Sequence, residues 1–223
     1  MLRPFVDRGE ISAANVEADV LYAGALSGLG RGGEAFALVD RILAFDGNNP
    51  RALLMRVNVS IARGDLVRAL RDAQLLVRDN PDMVEGRIAL ARIYVRRKEP
   101  VLADDAYARA MNELPQDGAM LAAFIDYQLG KARPALARDA ARRFTSENPR
   151  SRDGWRERGE LCIALADADC IEQSFQALDQ IAGGPKIRHA LEKKLAARGG
   201  VARVTEAAAG QGDPLCGRTG VPC

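Results

Sequence analysis

The strongest constraint on the fold of this chain is a period of 34 residues. A small or apolar residue recurs at this spacing five times, at Ala35, Ala69, Ala103, Ala137 and Ile171. Prolines follow the same spacing and phase, at Pro81, Pro115 and Pro149, and Gly47 takes their place in the first period. Repeats of 20 to 50 residues are typical of proteins in which similar units stack on one another to bury a shared core.

Each period has the pattern of two helices joined by a turn. Ile171, Phe175 and Leu178 lie at i, i+4 and i+7 and therefore share one face of a helix. Counting Val16 as the first residue of a repeat, the eighth and twenty-seventh positions are apolar or small throughout. The eighth positions are Ala23, Val57, Ala91, Ile125 and Gly159, and the twenty-seventh are Ile42, Leu76, Ala110, Phe144 and Leu178. Gly or Pro residues mark the turns. Aromatic residues make up only 5% of the chain, and its many Ala, Leu, Arg and Glu residues favour helix over sheet, so the sequence predicts an all-α protein.

The balance of charge excludes some classes of partner. The 223 residues include 32 basic and 30 acidic side chains, a net charge of +2, which is too small a positive field to favour nucleic acid. The sequence contains no stretch of about 18 uncharged apolar residues, so it predicts no transmembrane helix. The start carries Asp7, Arg8 and Glu10 and does not resemble a secretory signal, so we expect a cytoplasmic protein. A periplasmic or envelope location is the alternative if the start is truncated.

On these residues the chain resembles the tetratricopeptide repeat (TPR) family. Trp155 and Gly159 match the first-helix signature of that family, and Ala103, Tyr107 and Pro115 match the second. Some residues depart from it: Arg158 and Cys162 stand where Leu and Tyr are expected, and Asp19 and Arg87 where Trp is expected. The resemblance implies antiparallel helix pairs in a right-handed superhelical solenoid with a concave binding groove.

The expected organisation is an array of five repeats with a cap. We predict a lead-in at 1–15, an array over 16–185, a capping helix at 186–198 and a flexible tail at 199–223. The predicted repeats 1 to 5 are 16–49, 50–83, 84–117, 118–151 and 152–185.

No residue pattern predicts catalysis. The single histidine, His189, lies on the predicted capping helix, where a surface role is expected. Gly30, Gly32 and Gly33 lack the spacing and the Lys-Ser/Thr ending of a phosphate-binding loop. We therefore expect no enzyme activity, no cofactor and no bound metal.

The four cysteines form two close pairs. Cys162 and Cys170 fall on either side of a predicted turn, where antiparallel helices bring such residues together, and their spacing resembles that of Sel1-like repeats. A disulfide is one interpretation, and two buried thiols is the other, which we favour because no export signal indicates an oxidising compartment. Cys216 and Cys223 either close a small loop or stay free, and their spacing is a weak match to a zinc site.

The first helices of the repeats carry the predicted binding surface. In the family, binders of chaperone tails use Lys and Asn at the fifth and ninth positions of repeats, and this pattern is absent here. An apolar strip replaces it, at Val20, Leu54, Ile88 and Ala122, with Leu21, Met55, Ala89 and Ala123 one residue further on. We expect about half of this strip to be core between repeats. The predicted peptide site comprises Leu54, Met55, Asn58, Ile88, Arg92 and Arg96.

This site predicts a scaffold or adaptor protein. The Arg- and Ala-rich composition is typical of a bacterial protein. An amphipathic helix or an apolar peptide of a partner protein would lie on the strip, and Arg92 and Arg96 would meet an acidic side chain. Two alternatives stay open. One is an assembly factor of the cell envelope, of pilus, secretion or cytochrome maturation type, to which the cysteine pairs point. The other is a homo-oligomer formed by head-to-tail stacking.

Overall fold

The computed structural model describes residues 10–199, and over this range the chain forms eleven α-helices and no strand. The helices are α1 (Val16–Gly28), α2 (Gly32–Phe45), α3 (Pro50–Arg63), α4 (Leu66–Asp79), α5 (Val84–Arg96), α6 (Pro100–Glu113), α7 (Gly118–Gly130), α8 (Pro134–Glu147), α9 (Arg152–Ala164), α10 (Ala168–Asp179) and α11 (Gly184–Ala197). Within each of the two bodies described below, consecutive helices are joined by short turns and pack against each other. The predicted all-α repeat fold is confirmed.

The helices belong to two compact bodies. The N-terminal body extends to Leu114 and contains α1 to α6, and the C-terminal body begins at Pro115 and contains α7 to α11. Within the N-terminal body α2 packs on α3, α4 on α5, and the first helices α1, α3 and α5 contact their neighbours in turn. Within the C-terminal body α9 packs against α7, α8, α10 and α11.

The periodic apolar columns form the core of each body. Every residue of the eighth, twentieth and twenty-seventh columns is buried, the twentieth being the column of Ala35 and its equivalents. Gly86 and Gly154, both at the third position of a repeat, allow close packing on the preceding helix. A Cβ on Gly154 would lie 2.5 Å from Cε1 of Phe144, and one on Gly86 would lie 3.1 Å from Leu76. The absence of a side chain there therefore sets the distance between successive hairpins.

Proline and short polar side chains define where helices begin. Pro50, Pro100 and Pro134 occupy the first turn of α3, α6 and α8, where a missing N–H leaves no bond unmade. Other helices begin at a side chain that accepts a hydrogen bond from the first turn. For example, Asp65 accepts from the N–H of Arg68 and Asp167 from that of Cys170.

A left-handed residue ends the first helix of every hairpin. Its five occurrences keep the 34-residue period: Gly30 (φ 75°), Gly64 (φ 78°), Lys98 (φ 60°), Ala132 (φ 54°) and Ala166 (φ 62°). Glycine adopts this conformation without steric cost, whereas a Cβ makes it unfavourable by about 1–2 kcal/mol. Three of the five turns therefore form despite a side chain at this position.

Helix α11 packs against the last hairpin. Leu191 and Leu195 are buried against α9 and α10, and Leu191 fills the space left by Gly159, where a Cβ would lie 2.7 Å from Cδ1 of Leu191. Lys194 forms an ion pair with Glu160 of α9. His189 is exposed on this helix.

Two predicted segments extend beyond the described part of the chain. Most of the lead-in at 1–15 and nearly all of the tail at 199–223 lie outside residues 10–199, as do Cys216 and Cys223. Among the described helices, none has the length and apolar character needed to cross a bilayer.

Candidate peptide-binding surface

The predicted peptide site lies on two first helices of the N-terminal body. Leu54, Met55 and Asn58 are on α3, and Ile88, Arg92 and Arg96 are on α5. Helices α3 and α5 contact each other. Because residues at i and i+4 share a helix face, Leu54 aligns with Asn58, and Ile88 aligns with Arg92 and Arg96. We name these six residues the α3–α5 surface.

The apolar half of this surface is partly core. Leu54 is half-buried and packs against two clusters of buried residues, one around Leu53 and one around Val57. Met55 packs against the first cluster, and Ile88 is half-buried. In the rest of the strip Val20, Ala89 and Ala123 are buried. The available apolar area is therefore smaller than the sequence strip.

The polar half of this surface is exposed. Among residues 10–199, no side chain forms an ion pair or hydrogen bond with Asn58, Arg92 or Arg96, and all three are exposed. Nearby arginines differ: Arg87 pairs with Glu113, and Arg97 with Glu99 at 2.9 Å. Two guanidinium groups one helical turn apart are thus free to bind an anionic group.

One exposed residue next to the α3–α5 surface was not predicted from the sequence. Val95 is 42% exposed and lies three residues after Arg92 on α5. Its spacing of i+7 from Ile88 puts it on the same helical face, and this spacing was the signal that could have found it. Val95 adds an exposed apolar side chain next to the two arginines.

The two cysteines of the last hairpin are brought together. Cys162 near the end of α9 and Cys170 in the first turn of α10 are joined in a disulfide, with their Cα atoms 5.6 Å apart. This separation lies within the usual range of about 4.4–6.8 Å. The structure therefore contains the bond, whereas the sequence favoured two thiols; the oxidation state in solution stays a prediction.

The side chains that commonly bind metal ions are dispersed over the described helices. Between residues 10 and 199, no three His, Cys, Asp or Glu side chains are grouped closely enough to hold a metal ion. The nearest ion-pair partner of His189 is Glu192, at 3.7 Å.

Comparison with known proteins identifies the fold. No protein-family model matches the sequence, and no curated protein matches it. Solved structures do match. A thermophilic TPR protein of Thermus thermophilus is 18% identical, with 81% of this chain and 99% of that one covered at a TM-score of 0.54. A tetratricopeptide repeat protein from Parabacteroides merdae is 13% identical, with 96% and 85% covered at a TM-score of 0.55.

A third match is similar in extent. The pilF protein of Pseudomonas aeruginosa is 14% identical, with 86% of each chain covered at a TM-score of 0.54. These matches and the eleven described helices show that the chain has the tetratricopeptide repeat fold, as the resemblance of the sequence predicted. At this level of identity the matches show the fold alone, so the function must be argued from the residues.

Proposed function

We propose that the chain is a non-catalytic scaffold that binds a peptide or helix of a partner protein on the α3–α5 surface. The observation that carries this proposal is the pair of exposed guanidinium groups of Arg92 and Arg96, which have no partner among residues 10–199 and lie next to Val95 and the half-buried Ile88. An amphipathic segment with an acidic side chain beside its apolar face is complementary to this combination.

Site-specific photo-crosslinking in cells of the source organism tests the proposal. A photoreactive phenylalanine analogue replaces Asn58 in one variant and Gln74, an exposed residue of α4, in a control variant. We expect a protein to be captured through position 58 and not through position 74. The captured segment is then synthesised and its affinity measured by fluorescence anisotropy.

Charge reversal provides the matched comparison. The variant Arg92→Glu/Arg96→Glu should weaken binding of that segment at least tenfold, because both favourable charges become repulsive. The variant Arg143→Glu/Arg150→Glu makes the same change of net charge at exposed positions of the C-terminal body and should leave the affinity unchanged. Equal affinities of the two variants would contradict the assignment of the site.

A second candidate function is assembly work at the cell envelope. The observation that favours it is the Cys162–Cys170 disulfide, since such bonds persist in oxidising compartments. Alkylation of thiols in intact cells tests it: protection of both cysteines supports an oxidising location, and modification of both contradicts it. Self-association stays a prediction, for which light scattering at several concentrations is the measurement.

A further inference from the structure

A cleft lined by charged and apolar residues lies in the C-terminal body. It has a volume of about 250 Å³ and is lined by residues of α8, α9 and α10 together with the residue before α10. Its cationic side chains are Arg138 and Arg142 on α8 and Arg158 on α9. The Cys162–Cys170 disulfide forms another part of its lining.

Arg158 is held in this cleft by neutral groups. Its NH1 donates to Oγ1 of Thr145 at 2.9 Å and its NH2 to Oε1 of Gln173 at 2.8 Å, while its guanidinium carbon lies 5.0 Å from the ring centroid of Trp155. No carboxylate in the described part of the chain forms an ion pair with it. Burial lowers the pKa of Arg158 and the charge of Arg142 lowers it further, while the charge of Asp167 partly offsets both effects. The guanidinium nevertheless stays protonated, since arginine ordinarily titrates above about 12.

The arginine at the equivalent position of repeat 2 has a carboxylate partner, which Arg158 lacks among the described residues. Arg56 is the seventh residue of repeat 2, as Arg158 is of repeat 5. Its Nε and NH2 donate to the two carboxylate oxygens of Asp72, at 2.7 and 3.0 Å, and its NH1 lies 3.5 Å from Asp40. The side chain of Asp72 is only 2% exposed. This fork-to-carboxylate pairing is the geometry that arginine favours.

Neither carboxylate has a counterpart next to Arg158. The position that Asp72 holds in repeat 2 is Ser174 in repeat 5, and the position that Asp40 holds in repeat 1 is Arg142 in repeat 4. Ser174 donates to the carbonyl oxygen of Cys170 at 2.8 Å. One carboxylate has thus been replaced by a hydroxyl and the other by a second cation.

Two of the three acidic residues of the cleft are engaged elsewhere, and the third, Asp169, lies in the first turn of α10. Asp139 pairs with Arg142 along α8 at 2.9 Å, and both side chains are largely exposed. Asp167 caps α10 by accepting from the N–H of Cys170 at 3.1 Å, and it lies 3.7 Å from Arg138. Exposed pairs such as Asp139 and Arg142 are worth little and exchange readily for another anion.

We propose that the cleft binds a carboxylate group of a partner molecule, with Arg158 and Arg142 as its ligands. The incoming carboxylate takes the place beside Arg158 that Asp72 takes beside Arg56. Two of the N–H groups of Arg158 are used by Thr145 and Gln173, so donors are left for it. The shared chemistry is a carboxylate, whether from an acidic side chain or from a chain terminus.

Three synthetic peptides separate these sources. The first is a fluorescein-labelled octapeptide of alternating glutamate and alanine with an amidated C-terminus. The second has glutamine for glutamate and a free C-terminal carboxylate, and the third has glutamine and an amidated C-terminus. At low salt the full-length protein should bind the first or the second, measured by anisotropy, and at least tenfold more tightly than the third.

Variants assign the binding to the cleft. Arg158→Leu should weaken binding of the preferred peptide at least tenfold; repeat 3 carries Leu90 at this position, so the fold accepts the change. Arg142→Gln should also weaken it. Arg143→Gln is the matched control, since Arg143 is the next residue of α8 and is exposed without an ion-pair partner between residues 10 and 199. It should change the affinity less than twofold.

A variant that fills the cleft completes the test. Ser174→Asp adds the carboxylate that repeat 2 possesses, retains Arg158, and should abolish peptide binding while the far-UV circular dichroism stays unchanged. If Arg158→Leu fails to fold, this variant carries the test. The proposal is overturned if all three peptides bind equally or none binds at millimolar concentration, or if the Ser174→Asp protein binds as tightly as the wild type.

Discussion

The ion pair between Arg56 and Asp72 offers the most direct test of how charges are accommodated between these helices. The two side chains are 19% and 2% exposed and meet through two hydrogen bonds, between the first helix of a hairpin and its partner. Asp72→Asn keeps the size and shape of the side chain and removes the charge. It leaves a cation inside the hairpin with only Asp40 nearby, at 3.5 Å and 42% exposed.

The expected loss of stability follows from this geometry. Breaking a buried pair by removing one partner destabilises proteins by about 3–5 kcal/mol, because the remaining charge is uncompensated. Here Arg56 is not fully buried, Asp40 still attracts it, and the asparagine oxygen still accepts one hydrogen bond. We therefore expect the free energy of unfolding of the N-terminal body to fall by about 2–3 kcal/mol.

Replacing both partners should be far less harmful. Repeat 3 has Leu90 and Ala106 at the two equivalent positions, so Arg56→Leu/Asp72→Ala copies an arrangement that the chain already contains. We expect this double variant to unfold within about 1 kcal/mol of the wild type, since an apolar pair needs no countercharge. Asp105→Asn, which breaks an exposed pair with Arg109, is the control and should cost less than about 0.5 kcal/mol.

The assay must resolve the two bodies. Urea denaturation followed by circular dichroism gives the overall change, and native-state hydrogen exchange of the α3 and α4 amides locates it in the N-terminal body. A loss below about 0.5 kcal/mol for Asp72→Asn would refute the reasoning, as would a double variant less stable than the single one. Either result would also weaken the inference that Arg158 lacks a needed carboxylate.

Three further predictions concern other features. Gly64→Ala should cost about 1 kcal/mol in urea denaturation, because a Cβ there contacts nothing within 4 Å and only the positive φ is unfavourable, while Ala132→Gly should not destabilise; the reverse order would contradict this. Reducing the Cys162–Cys170 bond should lower the stability of the C-terminal body by about 2.5 kcal/mol through loop entropy, and a Cys162→Ala/Cys170→Ala variant should show no such response to reductant. Burial raises the pKa of Glu157, and its bond to Arg156 only partly offsets this, so the free energy of unfolding should fall as pH rises from the ordinary value of 4.5 through the raised pKa. Thermal melts of Glu157→Gln should lack that component of the pH dependence, and an identical profile would exclude it.

The sequence predicted the fold because burial follows its period. Residues such as Val57 and Leu76 are apolar because they are buried in the core. The spacing of apolar residues in the sequence therefore predicts the helical repeats. The binding surfaces were less predictable. Leu54 packs against the core and also contributes to the binding surface, and the sequence pattern does not distinguish these two roles. The proposed site at Arg158 depends on a carboxylate that repeat 2 has and repeat 5 lacks. Comparing the seventh, twenty-third and twenty-fifth positions of successive repeats would have found that charge imbalance.

The backbone of the hairpin turns was predicted only in part. Glycine at Gly30 and Gly64 is a sequence signal for a left-handed residue, whereas Lys98, Ala132 and Ala166 carry no such signal. Their conformation is imposed by the packing of the two helices that they join. Tertiary contacts there override the local preference.

These turns show how far such a chain can diverge without changing its fold. In a repeat protein each repeat contacts only its neighbours, so the cost of an unsuited residue stays within its own hairpin and is not amplified along the chain. A penalty of about 1–2 kcal/mol at one turn is offset by the packing of that hairpin. The positive φ angle is therefore kept at Lys98, Ala132 and Ala166, where glycine is not. The periodic torsion angles and buried positions that define the fold can therefore be kept while the consensus residues that a family model recognises change.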